Sequence, residues 1–239
     1  MKISRAADPR AGRAGTTLPA WPSALVVIAH PDDESFGLGA VIDRLTAAGA
    51  AVHILCYTHG GASTLNQTRD DLHRARETEL RQAAAELGAA GVTLLDYPDG
   101  GLADIPAGDL DGHVAAAAAR VSASGVLVFD DTGVTGHPDH RAATGAAVLA
   151  GRQARLPVLA WTLPAAVAAR LSAETGQGFC VQPPGRIDLC LRVSRQRQRR
   201  AALRHASQIS PAAVLWRRLQ LLGECEYLRW LVPPAEVLT

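Results

Sequence analysis

Residues 25–29 are five consecutive apolar residues, and the chain then enters His30-Pro31-Asp32-Asp33-Glu34 with no polar spacer. A strand without polar alternation has no face to give to water. It belongs inside a parallel sheet covered by helices on both sides, which restricts the fold to the α/β class. The residues at its end carry one imidazole and three carboxylates. Such groups at the tip of a core strand are costly to bury unless something neutralises them. A divalent metal ion meets that requirement.

The same alternation recurs along the chain. After the first strand, residues 35–48 read as a helix closed by Gly49. Strands are expected at 51–57, 92–95, 126–129 and 158–161, with helices at 70–87, 107–122 and from Pro138 to Gly151. Proline suits the first turn of that last helix. Repeated strand and helix imply a Rossmann-like, doubly wound, mainly parallel sheet with right-handed crossovers. Beyond Trp161 the pattern loosens. Residues 179–181 and 187–193 read as short strands, 194–208 and 212–222 as helices, and 224–231 as a mixed segment. A helical and antiparallel C-terminal extension is expected.

At 239 residues the chain can bury a core as one domain. Residues 1–20 read as a mobile tail and 21–239 as that single domain. Arg5, Arg10 and Arg13 lie in the tail without an apolar stretch, so no secretory signal is expected there. A net charge of +1 points to neither nucleic acid nor an anionic membrane. No run approaches the ~18 apolar residues of a membrane span. The four cysteines match no metal or redox spacing, which fits free thiols in a reducing cytoplasm. Arg192 to Arg204 is a basic run whose plain reading is a solvated helix face. Lys2 is the only lysine; arginine and alanine richness reflects GC-rich coding, as in actinobacterial-type genomes.

A second cluster, His137-Pro138-Asp139-His140, follows the fourth strand. Sites in open α/β sheets form at the C-terminal ends of strands. Both clusters occupy that place, so they are expected to meet. His137 and His140 are three apart at a helix start and share a face. Imidazole plus carboxylate ligation suits zinc. Two histidines and one aspartate also suit ferrous iron, so Fe2+ stays open beside Zn2+. A nucleotide-binding reading fails, because an acidic cluster replaces the G-x-G-x-x-G that pyrophosphate needs after the first strand.

The paired segments Ala29-His30-Pro31-Asp32-Asp33-Glu34 and His137-Pro138-Asp139-His140 resemble the LmbE-like (PIG-L) zinc N-deacetylase family. Arg76-x-x-Glu79, Leu87-Gly88, Asp99-Gly100 and His205-x-x-Gln208 fit the same resemblance, which runs from about Leu25 to Gln208. It implies that His30, Asp33 and His140 hold the metal. It implies that Asp32 is the general base and that His137 stabilises the oxyanion or protonates the leaving amine. Asp139 would orient a histidine from behind, and Arg76 and Asp99 would contact sugar hydroxyls. Relatives often carry an acidic residue where Gly61 stands here; Asn66 or Asp70 is the compensating candidate.

The implied activity is metal-dependent removal of an N-acyl group, with acetyl foremost, from an amino sugar or glycoconjugate. The expected partner is that small molecule, with no nucleic acid and no membrane; a homo-oligomer stays open. Two other readings stand beside it. One is an amidase acting on a larger thiol conjugate. The other is a non-catalytic metal-binding module of the same fold.

Overall fold

Ser23–Ile28 forms strand β1, and all six of its residues are buried. Its neighbours in chain order are β2 (Ala51–Thr58), β3 (Gly91–Tyr97), β4 (Gly125–Phe129) and β5 (Val158–Thr162). All pair in parallel, in the spatial order β3-β2-β1-β4-β5. The computed structural model describes residues 14–65, 69–180, 182, 185–210 and 213–235. The chain runs outward from β1 through β2 to β3, then returns to the other side of β1 for β4 and β5. The crevice at the C-terminal ends of β1 and β4 is therefore the topological switch point, the place where such sheets bind ligands.

Helices cover both faces. On one face α1 (Asp33–Phe36), α2 (Gly39–Ala47) and α3 (Arg69–Glu86) accompany a core that includes Val26, Ile28, Ile42, Ile54 and Leu80. On the other, α4 (Ala107–Arg120) and α6 (Pro138–Ala154) close over Leu25, Val27, Leu55 and Val128. Between them lies α5 (Gly133–Gly136), a single turn leading into α6. The single helix expected over residues 35–48 is two helices. They part at Gly37, where a Cβ would stand 2.1 Å from Cε1 of Phe129.

The C-terminal part departs further from expectation. Helix α7 (Ala165–Thr175) stands where no element was read, although Pro164 before it and Gly176 (φ 71°) after it mark its ends. Phe179 and Cys180 form no strand, and Val181 lies outside the described residues. Strand β6 is confined to Leu189–Arg192, and the following helix α8 to Gln196–Ala202. Helix α9 spans Val214–Leu222.

The mixed segment is strand β7 (Cys225–Val232), inserted antiparallel between β5 and β6. Its alternation is masked because two charged residues occupy buried positions. Glu226 accepts from Trp161 Nε1 at 2.7 Å and pairs with Arg195. Arg229 Nε lies 2.6 Å from the Asp130 carboxylate. Arg195 is thus buried, unlike the rest of its basic run, where Arg197 meets Asp43 and Arg200 and Arg204 meet Glu86 at the surface. Of the tail, residues 1–13 lie outside the described residues. Gly15 bonds to the backbone of Asp188 and Cys190 along β6, and Trp21 packs into the core.

Candidate metal centre

The turn after β1 is strained. Asp32 has φ 109° and ψ −25°, a conformation that side chains with a Cβ rarely adopt and that costs about 1–3 kcal/mol. Its surroundings over-determine it. Arg76, almost fully buried on α3, donates through Nη2 to the Pro31 carbonyl and to the Asp32 carboxylate at 3.1 Å. Arg76 Nη1 donates to the Gly60 carbonyl at 2.8 Å. The Asp32 backbone N–H donates to Glu34 Oε2 at 3.0 Å. Glu34 has no exposed surface, and its other oxygen receives His205 Nε2 at 2.6 Å.

The turn and the start of α6 meet over Asp33. Its Oδ1 is 3.1 Å from His140 Nε2, and its Oδ2 accepts the His30 backbone N–H at 2.9 Å. His30 Nε2 lies 3.1 Å from Asp139 and 3.0 Å from Asp99. Those carboxylates fix the proton on Nε2 and leave Nδ1 on the Asp33 side, 3.7 Å from Oδ2. Ligand atoms of His30, Asp33 and His140 all lie within 4.8 Å of one another, as do those of His30, His137 and Asp139. The first set fits a metal better. Asp139, fully buried, already accepts from the backbone of Gly100 (2.7 Å) and Leu102 (3.1 Å) as well as from His30. Two imidazoles and one carboxylate are the donor chemistry of a zinc or ferrous site with open positions.

Charge around the cluster favours a cation. Burial lowers the His30 imidazole, but Asp139, Asp99 and Asp33 overcome it and raise the group to about 10. Burial opposes ionisation of Asp33, yet His140 and His30 hold its carboxyl well below the usual range. Asp32 goes the other way. Burial, with Asp33 and Glu34 adding to it and Arg76 opposing, pushes it up to about 6. His137 is lowered by burial and by the neighbouring His140 and His30. Its Nδ1 accepts the Asp139 backbone N–H at 3.2 Å, so in the neutral ring Nε2 carries the proton. The ring lies 4.8 Å from His140 and 4.9 Å from His30, centre to centre.

The structure thus brings together His30, Asp32, Asp33, His137, Asp139 and His140. Two residues stand otherwise than expected. Arg76 is buried behind Asp32, with Nη1 and Nη2 bonded to protein oxygens, and not on an open face for a sugar. Asp99 bonds His30 and the Ala62 backbone (2.8 Å), so it is part of the histidine's support. The Glu34–His205 pair beneath Asp32 joins two distant segments, each of which the sequence marks without marking their pairing. A Cβ at Gly61 would stand 2.1 Å from His73 Nε2, so His73 occupies the space a side chain there would need. Asn66 and the side chain of Asp70 lie outside the described residues.

Fold and cluster define a class: an α/β protein with a two-histidine, one-aspartate site at the switch point of a doubly wound sheet. The chain belongs to the PIG-L family, whose model, described as GlcNAc-PI de-N-acetylase, matches residues 25–150. A protein of Mycobacteroides abscessus named 1D-myo-inositol 2-acetamido-2-deoxy-alpha-D-glucopyranoside deacetylase is 32% identical over 230 residues, covering 78% of this chain and 81% of that protein. The probable N-acetylglucosaminyl-phosphatidylinositol de-N-acetylase of Schizosaccharomyces pombe is 35% identical over 124 residues, 49% of this chain and 47% of that one. In that relative and in one from Geodermatophilus obscurus (48%), the match spans about half the protein's length. The crystal structure of the A40926 pseudoaglycone deacetylase Dbv21 shares the fold, with a TM-score of 0.68 and 20% identity over 87% of this chain and 96% of that one.

Proposed function

We propose that this chain is a metal-dependent amide hydrolase that removes an acyl group, acetyl foremost, from the nitrogen of an amino sugar. The observation that carries the reading is the place of Asp32. It adjoins the three candidate ligands, is held by Arg76, and is tuned to about 6, where a general base works best near neutral pH. The ion, Zn2+ with Fe2+ as its rival, would be held by His30, Asp33 and His140 and would supply Lewis acidity that lowers the pKa of water towards ~7.

The chain's own residues account for the proton movements. Asp32 takes a proton from the attacking water. His137 presents Nε2–H to negative charge developing on the carbonyl oxygen, and the proton that Asp32 took from water passes to the departing amine. Asp139 and Asp99 hold His30 in one tautomer, and Arg76 keeps the Asp32 carboxylate on the reacting side. No serine or cysteine nucleophile is required.

Relatives named for 2-acetamido-2-deoxy-glucopyranosides support an N-acetylglucosaminide as the substrate class. Four unpaired cysteines support a cytoplasmic setting. No helix among the described residues is long and apolar enough to cross a membrane. One core cluster reaching from Trp21 to Leu228 supports a single catalytic domain. Metal analysis of purified protein, with an N-acetylglucosaminide panel assayed by mass spectrometry, tests the reading. We expect about one zinc or iron per chain and loss of acetyl, with Asp32→Asn keeping metal and losing activity. Metal present with no turnover of any glucosaminide would overturn it.

A further inference from the structure

A cavity of about 240 Å³ lies against Asp33 and His140. Phe129, Phe179 and Leu215 give it apolar walls, and Arg218 of α9 also lines it. An acetyl group needs little of this space, since it is roughly the bulk of two waters at ~30 Å³ each. Arg218 is the feature that apolar packing does not explain. Its guanidinium sits over the Trp161 ring at 5.1 Å, and Nη2 donates to the Phe36 carbonyl. Its Nε is buried without a hydrogen-bond partner among the described residues. Glu226, whose field reaches Arg218, is bonded to Arg195 and Trp161 instead. Asp33 and Asp32 also act on Arg218 from the site, but their carboxylates are held by His140 and Arg76. Two guanidinium groups therefore share Glu226, and one positive charge beside the cavity has no direct anionic partner among the described residues. A buried charge left so is costly unless a ligand completes it.

We propose that this cavity receives the acyl arm of the substrate and that Arg218 selects an arm ending in a carboxylate. The inference rests on the amide-hydrolase reading and names its acyl group. Beyond the acetyl group, the site then also takes a dicarboxylic half-amide of an amino sugar and prefers it to an uncharged acyl arm of equal length, with apolar walls around the methylene groups and Arg218 at the anionic end. The hydrolysis balances with water alone. Its oxygen bonds to the acyl carbon, the C–N bond breaks, one proton goes to the amine, and a dicarboxylic acid leaves.

The test compares N-succinyl- with N-butanoyl-glucosaminide, which share a four-carbon acyl chain, using the full chain loaded with zinc. A charge-assisted contact predicts that kcat/KM for succinyl exceeds that for butanoyl about tenfold or more. The ratio should fall to near one in Arg218→Met and be partly kept in Arg218→Lys. A ratio near one in the wild type, or an unchanged ratio in Arg218→Met, overturns the proposal. A binding measurement separates it from the catalytic reading. Free succinate should raise Tm more than butanoate in the wild type and not in Arg218→Met. Equal shifts overturn the acyl-arm proposal whatever the activity. A succinate-specific shift with no hydrolysis of any acyl sugar overturns the hydrolase reading and leaves the anion subsite standing.

Discussion

Arg76 Nη2 lies 3.1 Å from the Asp32 carboxylate, while Nη1 of the same guanidinium holds the Gly60 carbonyl at 2.8 Å. One buried side chain thus joins the turn after β1 to the loop after β2, and fixes the strained residue that stands beside the candidate metal ligands. Breaking a buried pair leaves an uncompensated charge, at about 3–5 kcal/mol. Arg76→Met should therefore lower unfolding free energy by about 3 kcal/mol in denaturant titration. It should also raise the pKa of Asp32, because Arg76, ahead of His205, is the stronger of the two groups that lower it. The acidic limb of kcat/KM should move to higher pH.

The wild-type pH profile carries its own sign. Burial raises Asp32 to about 6, so its base form appears as pH rises through that value. A bound cation favours the carboxylate and moves the limb below 6, yet burial keeps it above the ordinary aspartate value of ~3.9. A kcat/KM limb at or below the ordinary value would remove Asp32 from the role of base.

Metal removal should couple to stability through His140. A ligand at a thousandfold excess over its Kd stabilises the folded state by about 4 kcal/mol. Chelation should lower Tm markedly in the wild type. His140→Ala should hold little metal by elemental analysis, and its Tm should barely respond to the chelator.

The Glu34–His205 pair should report on stability with a defined pH sense. Burial lowers His205, but Glu34, Asp32 and Glu79 outweigh it and raise the group. Its contribution is complete below ~6.5 and is lost as pH rises through the higher folded value. His205→Gln should destabilise the chain most at low pH, with the difference from wild type shrinking as pH increases. Urea titrations across pH 5 to 9 measure this; a pH-independent difference would assign the pair no ionic role.

Much of this protein was readable before any coordinates. Apolar runs without alternation required a parallel sheet covered on both faces, and alternating strands and helices required a doubly wound one, whereas the strand order came only with the tertiary structure. His30 follows β1 by two residues and His137 follows β4 by eight, across the single turn α5, so chain direction carries both clusters to the C-terminal ends of neighbouring strands. What sequence could not supply was partnership across distance. Arg76 reads as a free cation for a sugar until α3 packs it behind Asp32. Glu226 and Arg229 disguise β7, because buried charges look like surface until Arg195 and Asp130 stand opposite them. Arg218 becomes a candidate only when α9 sets it beside Trp161 and the cavity that Asp33 and His140 line. Apolar periodicity is written in consecutive residues, whereas neutralising a charge depends on which remote residue the fold brings near.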